Sequence, residues 1–507
     1  MSLNRLANIG QTLLIIGASF YLLVYLVIAL TRLSYPFELE WMEGGSVVHV
    51  QRLLDGQSLY VTPSLNFIPF IYSPLYFHVS SLFAHVTGNS FLPLRLVSLL
   101  SSLGCLAFIF MIVHRRTSSL YASFIASCLF SATFRISGSW FDIARVDSLF
   151  LFLLLASIYT FDSPRLLTRS FVSPALLFLS FFTKQTALIV AVCLSAAVLF
   201  THKRSERFWF PLSFSLLIVG SFVLMNTLTA GWYKYYVFDL PAQHDIVNSL
   251  LVGFWTRDIA QPLAIALCVC VIPFLSVGTA TNSKTDRVIR DIFILGSLFM
   301  ASYLSRIHSG GYNNVLMPVY AGIAVYFGIG LALSLKEMGK DENIKTVVVL
   351  ATALQFVNLF YSPRQQIPSP MDRRQGEKLQ QLISSFKGEV YVSDHPWYSG
   401  NLNKPSQAQD MAVRDVIRAS GSGQWKQVLE QDMATAVAEM RYEAFIVDFK
   451  EFVLRVPDFE AHYELIEANL SGSAFHPVTG WDRRPTYLYV KRTVHQNAAA
   501  DADKPRR

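Results

Sequence analysis

The sequence predicts a polytopic α-helical membrane protein, with about 11 transmembrane helices and a small C-terminal α/β domain outside the membrane. Three observations predict it. Charged residues make up only 15% of the 507 and hydrophobic ones 52%, whereas a soluble domain carries about 25% charged residues. The apolar residues gather into runs near 12–31, 92–113, 119–137, 147–161, 171–183, 186–201, 210–230, 261–279, 291–305, 315–335 and 344–361. Beyond residue 361 the character changes: Pro363, Pro368 and Pro370 mark a linker, and the periodicity becomes that of a soluble domain.

The first run is too long for a signal-peptide core and lacks a small-residue cleavage site, so it counts as a retained span. Residues 32–91 then form a long first outer loop. It opens with Glu38, Glu40 and Glu43, three carboxylates within six residues. Residues 44–56 have the pattern of a helix opened by glycines and closed at Asp55-Gly56. The apolar stretch 74–86 is too short to span a bilayer, and Tyr72, Tyr76 and Phe77 suit a helix lying at the headgroup level. Two short runs flank Thr183-Lys184-Gln185, as a tight hairpin or broken span would.

Charge sets the orientation. The net charge of +7 does not form a nucleic-acid stripe; basic residues cluster in alternate loops, at Arg115-Arg116, 165–169, 203–207, 284–290 and 336–345. These are the expected cytoplasmic loops. The N-terminus is then inside, and the C-terminal domain is extracytoplasmic. This distribution fits an integral protein of a bacterial inner membrane. All five cysteines fall in apolar runs without metal-site spacing, so no zinc site or disulfide framework is implied.

The predicted domains are a transmembrane unit over 1–361, a linker over 362–370, an outer α/β domain over 371–494 and a disordered tail over 495–507. In the outer domain 389–393, 444–448 and 487–490 have strand patterns, while 408–417 and 424–440 have helical ones. Asp394-His395-Pro396-Trp397-Tyr398 follows the first strand, where its Trp-Tyr pair could stack on a sugar or close a cavity. No phosphate-cradling loop, dinucleotide fingerprint or zinc-hydrolase motif occurs.

The acidic first loop, the Pro74-Leu75-Tyr76 helix start, Arg145-Val146-Asp147-Ser148 at a span entrance and Thr183-Lys184-Gln185-Thr186 between short spans share one arrangement. It resembles that of the GT-C glycosyltransferases of the protein mannosyltransferase and aminoarabinose transferase type. The resemblance covers roughly residues 10–360 and rests on order and setting. It implies an inverting enzyme that moves a sugar from a polyprenyl-phosphate donor to a glycan, lipid or protein acceptor on the extracytoplasmic face. Relatives often carry Asp-Glu where this chain has Met42-Glu43.

The resemblance and the chemistry together nominate residues. A carboxylate suits the general base that takes the acceptor proton; Glu43 is the first candidate and Glu40 the second, while Glu38 has the setting of a solvated loop residue. Asp147 resembles a second aspartate of relatives, and an ion pair with Arg145 or Arg135 is its structural alternative. A departing phosphate needs cations, for which Lys184, Arg306 and Arg145 are candidates. His308 and Asn313 (or Asn314) lie beside Gly310-Gly311, where they could bind donor or sugar. Arg95, at the start of an apolar run, has the setting of an interfacial anchor. No cofactor is required, although a divalent cation could join the clustered carboxylates. A transporter or flippase is the alternative from another class; the absence of internal repeats and the concentration of polar groups in loops count against it. A non-catalytic assembly subunit would leave the loop carboxylates dispensable.

Overall fold

The computed structural model describes residues 3–201, 206–275, 282–337, 341–405, 407–419, 423–472 and 477–492. The basic pair Lys203-Arg204 and the predicted tail lie outside them. Each predicted apolar run contains a helix. In chain order they begin with α1 (Leu3–Leu33), then α2 (Glu43–Leu54) and α3 (Leu75–Thr87) in the first loop, then α4 (Phe91–Thr117), α5 (Leu120–Ala132), α6 (Asp147–Phe161), α7 (Ser173–Phe181), α8 (Ala187–Thr201) and α9 (Trp209–Leu228). Helices Asn248–Leu275 and Thr285–Ile307 follow, then Met317–Glu337 and Glu342–Asn358. Among the described residues, six helices are long and apolar enough to cross a bilayer, or seven if one bent pair counts as a span. α5, α6 and α8 are shorter apolar helices.

Burial sorts these helices. The apolar window of Asn313–Lys336 is 89% buried, and that of α9 only 6%. The first is the axis of the bundle, while α9 presents its leucines and valines outward, as a helix facing lipid must. Gly330 allows the axis helix to meet its neighbour: a Cβ there would fall on the Val269 carbonyl.

The C-terminal region holds a four-stranded sheet in the order β1-β2-β4-β3, with β1 at Glu389–Val392, β2 at Tyr442–Val447, β3 at Tyr463–Glu467 and β4 at Tyr487–Lys491. β1 and β2 run parallel, and the remaining pairs antiparallel. Three strands match the sequence expectation; β3 does not appear in it.

This region does not enclose a core of its own. Phe37, Trp41, Val50, Phe70 and Tyr76 of the first loop belong to one buried apolar cluster with Val390, Trp397, Tyr398, Phe445 and Ile446. Backbone bonds join the two parts: Thr479 N–H donates to Leu39 O at 3.2 Å and Ala408 N–H to Leu65 O at 2.8 Å. His49 is sandwiched between Phe70 and Phe77 and bonds Gly45 O and Phe70 N–H. Burial holds it neutral, pushing it down to about 3.

Candidate functional site

The polar residues of the first loop, the α5–α6 loop and the entrances of α6 and α8 converge at one end of the bundle. Two buried arginines build the frame. Arg32, at the end of α1, grips Asp142 with two bonds of 2.6 Å and also donates to Ser139 O. Arg95 makes paired bonds of 3.0 and 2.7 Å to Glu43 and donates to the carbonyls of Arg32, Tyr35 and Phe37. Arg95 is therefore no interfacial anchor: it is fully buried, because a guanidinium with five donors can satisfy a carboxylate and several carbonyls at once.

Glu43 is equally buried. Besides Arg95 it accepts the N–H groups of Leu39 and Ala144, both at 2.6 Å. Burial opposes its ionisation, but Arg95 and these amides hold it below the ordinary carboxylate range. Its lone pairs are thereby engaged, and through Ala144 it fixes the backbone beside Arg145.

Glu38 is not solvated. Its carboxylate meets His395 Nδ1 at 2.5 Å and accepts Gly44 N–H at 3.2 Å. His395 Nε2 lies 3.3 Å from Asp448. Burial raises Glu38 to about 7 against the pull of His395, and the flanking carboxylates Asp448 and Glu38, overcoming burial, hold His395 well above its usual range. The neighbouring aromatics close this joint: Trp397 packs on Phe91 with ring centres 4.5 Å apart, and Tyr398 stacks on Phe37 at 5.9 Å. Both are buried, so this Trp-Tyr pair offers no face to a sugar.

Gly44 sits inside the joint, where a Cβ would strike the Glu38 carboxylate and the Trp397 side chain. Gly44→Ala is expected to cost about 1–3 kcal/mol through overpacking. A fall in unfolding temperature checks it, accompanied by earlier proteolytic release of the C-terminal region.

Glu40 differs from its neighbours. Its carboxylate accepts Met42 N–H at 3.1 Å and faces Arg145 Nη1 at 3.4 Å. Burial, with only partial relief from Arg145, pushes it up to about 8. Arg145 also donates to Tyr72 OH at 3.1 Å and lies among the rings of Phe70, Tyr72 and Trp140. The Glu40–Arg145 contact is longer than the pairs Arg32–Asp142, Arg95–Glu43 and Lys184–Asp147, which span 2.6–2.7 Å.

Asp147 pairs with Lys184 at 2.6 Å rather than with Arg145 or Arg135, and accepts from Asn314 Nδ2 at 2.9 Å and Trp140 Nε1 at 2.8 Å. α6 begins at Asp147, where the helix N-terminus favours a carboxylate. Phe150, Val315, Met317 and Pro318 pack beside Asp147, Lys184 and Asn314 of this quartet.

Among the nominated residues, the structure brings Glu40, Arg145, Asp147 and Lys184 into one neighbourhood, with Glu43 behind them. Arg306 instead pairs with Asp258 at 2.7 Å and donates to Gly311 O at 2.6 Å, which staples the glycine turn. His308, just past the end of Thr285–Ile307, bonds Leu304 O in the last turn of that helix. Asn313 lies beside Gly138, and the adjacent Asn314 reaches Asp147. Tyr72 and Trp140 were missed, since aromatic residues near a membrane interface have the same pattern whether or not they line a cavity. Among the described residues, no three His, Cys, Asp or Glu side chains are grouped to hold a metal ion. The loop carboxylates have instead taken separate cationic partners.

No family model and no curated protein matches the chain. Solved structures do. ArnT from Cupriavidus metallidurans bound to undecaprenyl phosphate is 13% identical, with a TM-score of 0.57 over 94% of this chain and 98% of that one. Its apo state gives 0.58 at 12% identity, over 94% and 99%. The Archaeoglobus fulgidus oligosaccharyltransferase tethered with an acceptor peptide gives 0.51 at 11% identity, over 92% of this chain and 74% of that one. At identities this low the likeness shows the fold alone, the one these solved structures share.

Proposed function

We propose that this chain is an inverting glycosyltransferase that transfers a sugar from a polyprenyl phosphate to a glycan, lipid or protein acceptor. The observation that carries the reading is the Glu40–Arg145 pair: a buried carboxylate pushed up to about 8, facing a guanidinium at 3.4 Å. The acceptor hydroxyl gives its proton to Glu40 as its oxygen bonds to the anomeric carbon. The bond from that carbon to the phosphate oxygen breaks, and the prenyl phosphate leaves as a monoester.

Arg145 takes the phosphate, and Lys184, held by Asp147, adds a second positive charge. The likeness to ArnT bound to undecaprenyl phosphate supports this donor class. Glu43 serves as the strut behind Arg145 rather than as the base. Arg306 secures a turn. The chain sits in a bacterial inner membrane, with the carboxylate end and the C-terminal region outside and the N-terminus in the cytoplasm, a placement supported by the arginines at the opposite ends of α4 and Thr285–Ile307.

The test is transfer from a panel of radiolabelled polyprenyl-phosphate sugars to host lipid and glycan extracts, for wild type and Arg145→Gln. Wild type is expected to transfer, and the variant to lose about 10²–10³-fold, the usual cost of an anion-stabilising donor. Movement of the donor across vesicle bilayers with no transfer would replace the reading by a flippase.

A further inference from the structure

Glu40 is 1% exposed, yet the chain that covers one side of it is a single residue thick. That cover is the segment 477–481 of the C-terminal region, which lies ahead of β4. Gly480 is part-exposed and Trp481 is 56% exposed, so the outer side of the segment meets the surroundings while its inner side meets the carboxylate. A Cβ on Gly480 would lie 2.9 Å from Glu40 Cγ, 3.1 Å from Oε1 and 3.4 Å from Trp41 Cδ1. Its φ of +84° is also one that side chains resist. Glycine serves both the turn and the close approach.

The covered side of Glu40 is the one with room for a proton. Met42 N–H and Arg145 Nη1 both donate to Oε2, whereas Oε1 is the oxygen turned to Gly480. Thr479 fastens the segment where it crosses the first loop: its N–H donates to Leu39 O at 3.2 Å, and its Oγ1 donates to Gly138 O. On one side Val478 packs against the apolar core of the bundle. On the other, Arg483 is anchored by Asp394 at 3.3 Å and by the rings of Trp41 and Phe449.

We infer that residues 479–481 form a strap that keeps water from Glu40 and lifts for the acceptor, so that access to the carboxylate is decided at Gly480. The inference rests on the reading of Glu40 as the base. With the strap open and no acceptor present, water would take the acceptor's part: its oxygen would bond to the anomeric carbon, its proton would pass to Glu40, and the prenyl phosphate would leave with the donor wasted. Lifting breaks the two Thr479 bonds between anchored flanks and leaves the sheet untouched, as a short lid requires.

Carboxyl labelling of the detergent-purified full chain, with a water-soluble carbodiimide and glycine ethyl ester, tests the cover without reference to activity. Mass spectrometry reads the rate at each glutamate. Thr479→Val removes the bond to Gly138 and keeps the side-chain shape; it should label Glu40 about fivefold faster than wild type, the factor for one hydrogen bond, with Glu38 and Glu43 unchanged. Thr479→Ser, which keeps the hydroxyl, should match wild type. With radiolabelled donor, Thr479→Val should also release about fivefold more free sugar per sugar transferred. Equal labelling of Glu40 in wild type and Thr479→Val, labelling of Glu38 and Glu43 that rises with it, or faster labelling with an unchanged ratio of free to transferred sugar would each overturn the inference. The expected labelling in a protein that transfers nothing would uphold the cover and instead remove Glu40 from the role of base.

Discussion

Glu40→Gln is expected to lower the turnover of sugar transfer by about 10²–10⁴-fold, the range for loss of a positioned general base, without lowering the unfolding temperature. The charge it removes is one the fold supports poorly: burial pushes Glu40 up to about 8. The wild-type rate has a direction that follows. A base must be ionised to accept a proton, so the rate should climb as pH rises through about 8 and then level. Single-turnover transfer measured from pH 6 to 10, beside thermal unfolding of the same variant, checks both. A rate that falls across that range, or an active Glu40→Gln, would remove Glu40 from the chemistry.

Glu43→Gln is expected to have the opposite signature. It leaves Arg95 fully buried without its counter-charge, and breaking such a pair costs about 3–5 kcal/mol. The variant should therefore show a much lower unfolding temperature and reduced recovery of monodisperse protein. Its activity should fall because the Ala144–Arg145 backbone is no longer held. Thermal unfolding and size-exclusion recovery beside Glu40→Gln separate the two roles. A Glu43→Gln protein as stable as wild type yet inactive would return the base to Glu43.

The sequence makes the bundle legible because an apolar run long enough for a bilayer has few other uses. α6 begins and ends at residues 147 and 161 as its run predicts, and α3 starts just after Pro74. Partners were not legible. An arginine near the start of an apolar helix gives one pattern whether it snorkels or is buried, and what decides the matter for Arg95 is Glu43, 52 residues away. Asp147 likewise looks equally able to pair with near arginines, and only the fold places Lys184 beside it. β3 escaped because it is an edge strand with a single neighbour, carrying Glu464 and Glu467 where a central strand would carry apolar side chains. The first-loop glutamates mark the site region, but which of them is spare depends on how many donors each has found.

Glu38 and His395 are 357 residues apart in the chain, and Leu39 is held by Thr479. The loop that is synthesised first is thus completed by almost the last described residues to be made. Until that region exists, Phe37 lacks the Tyr398 ring that stacks on it and Glu38 lacks His395. Membrane insertion and closure of this joint are then separable: the helices could all be in place with the first loop still incomplete. The C-terminal region is thus the last part of the joint to be made, and the packing around Phe37 and Glu38 closes only when it arrives.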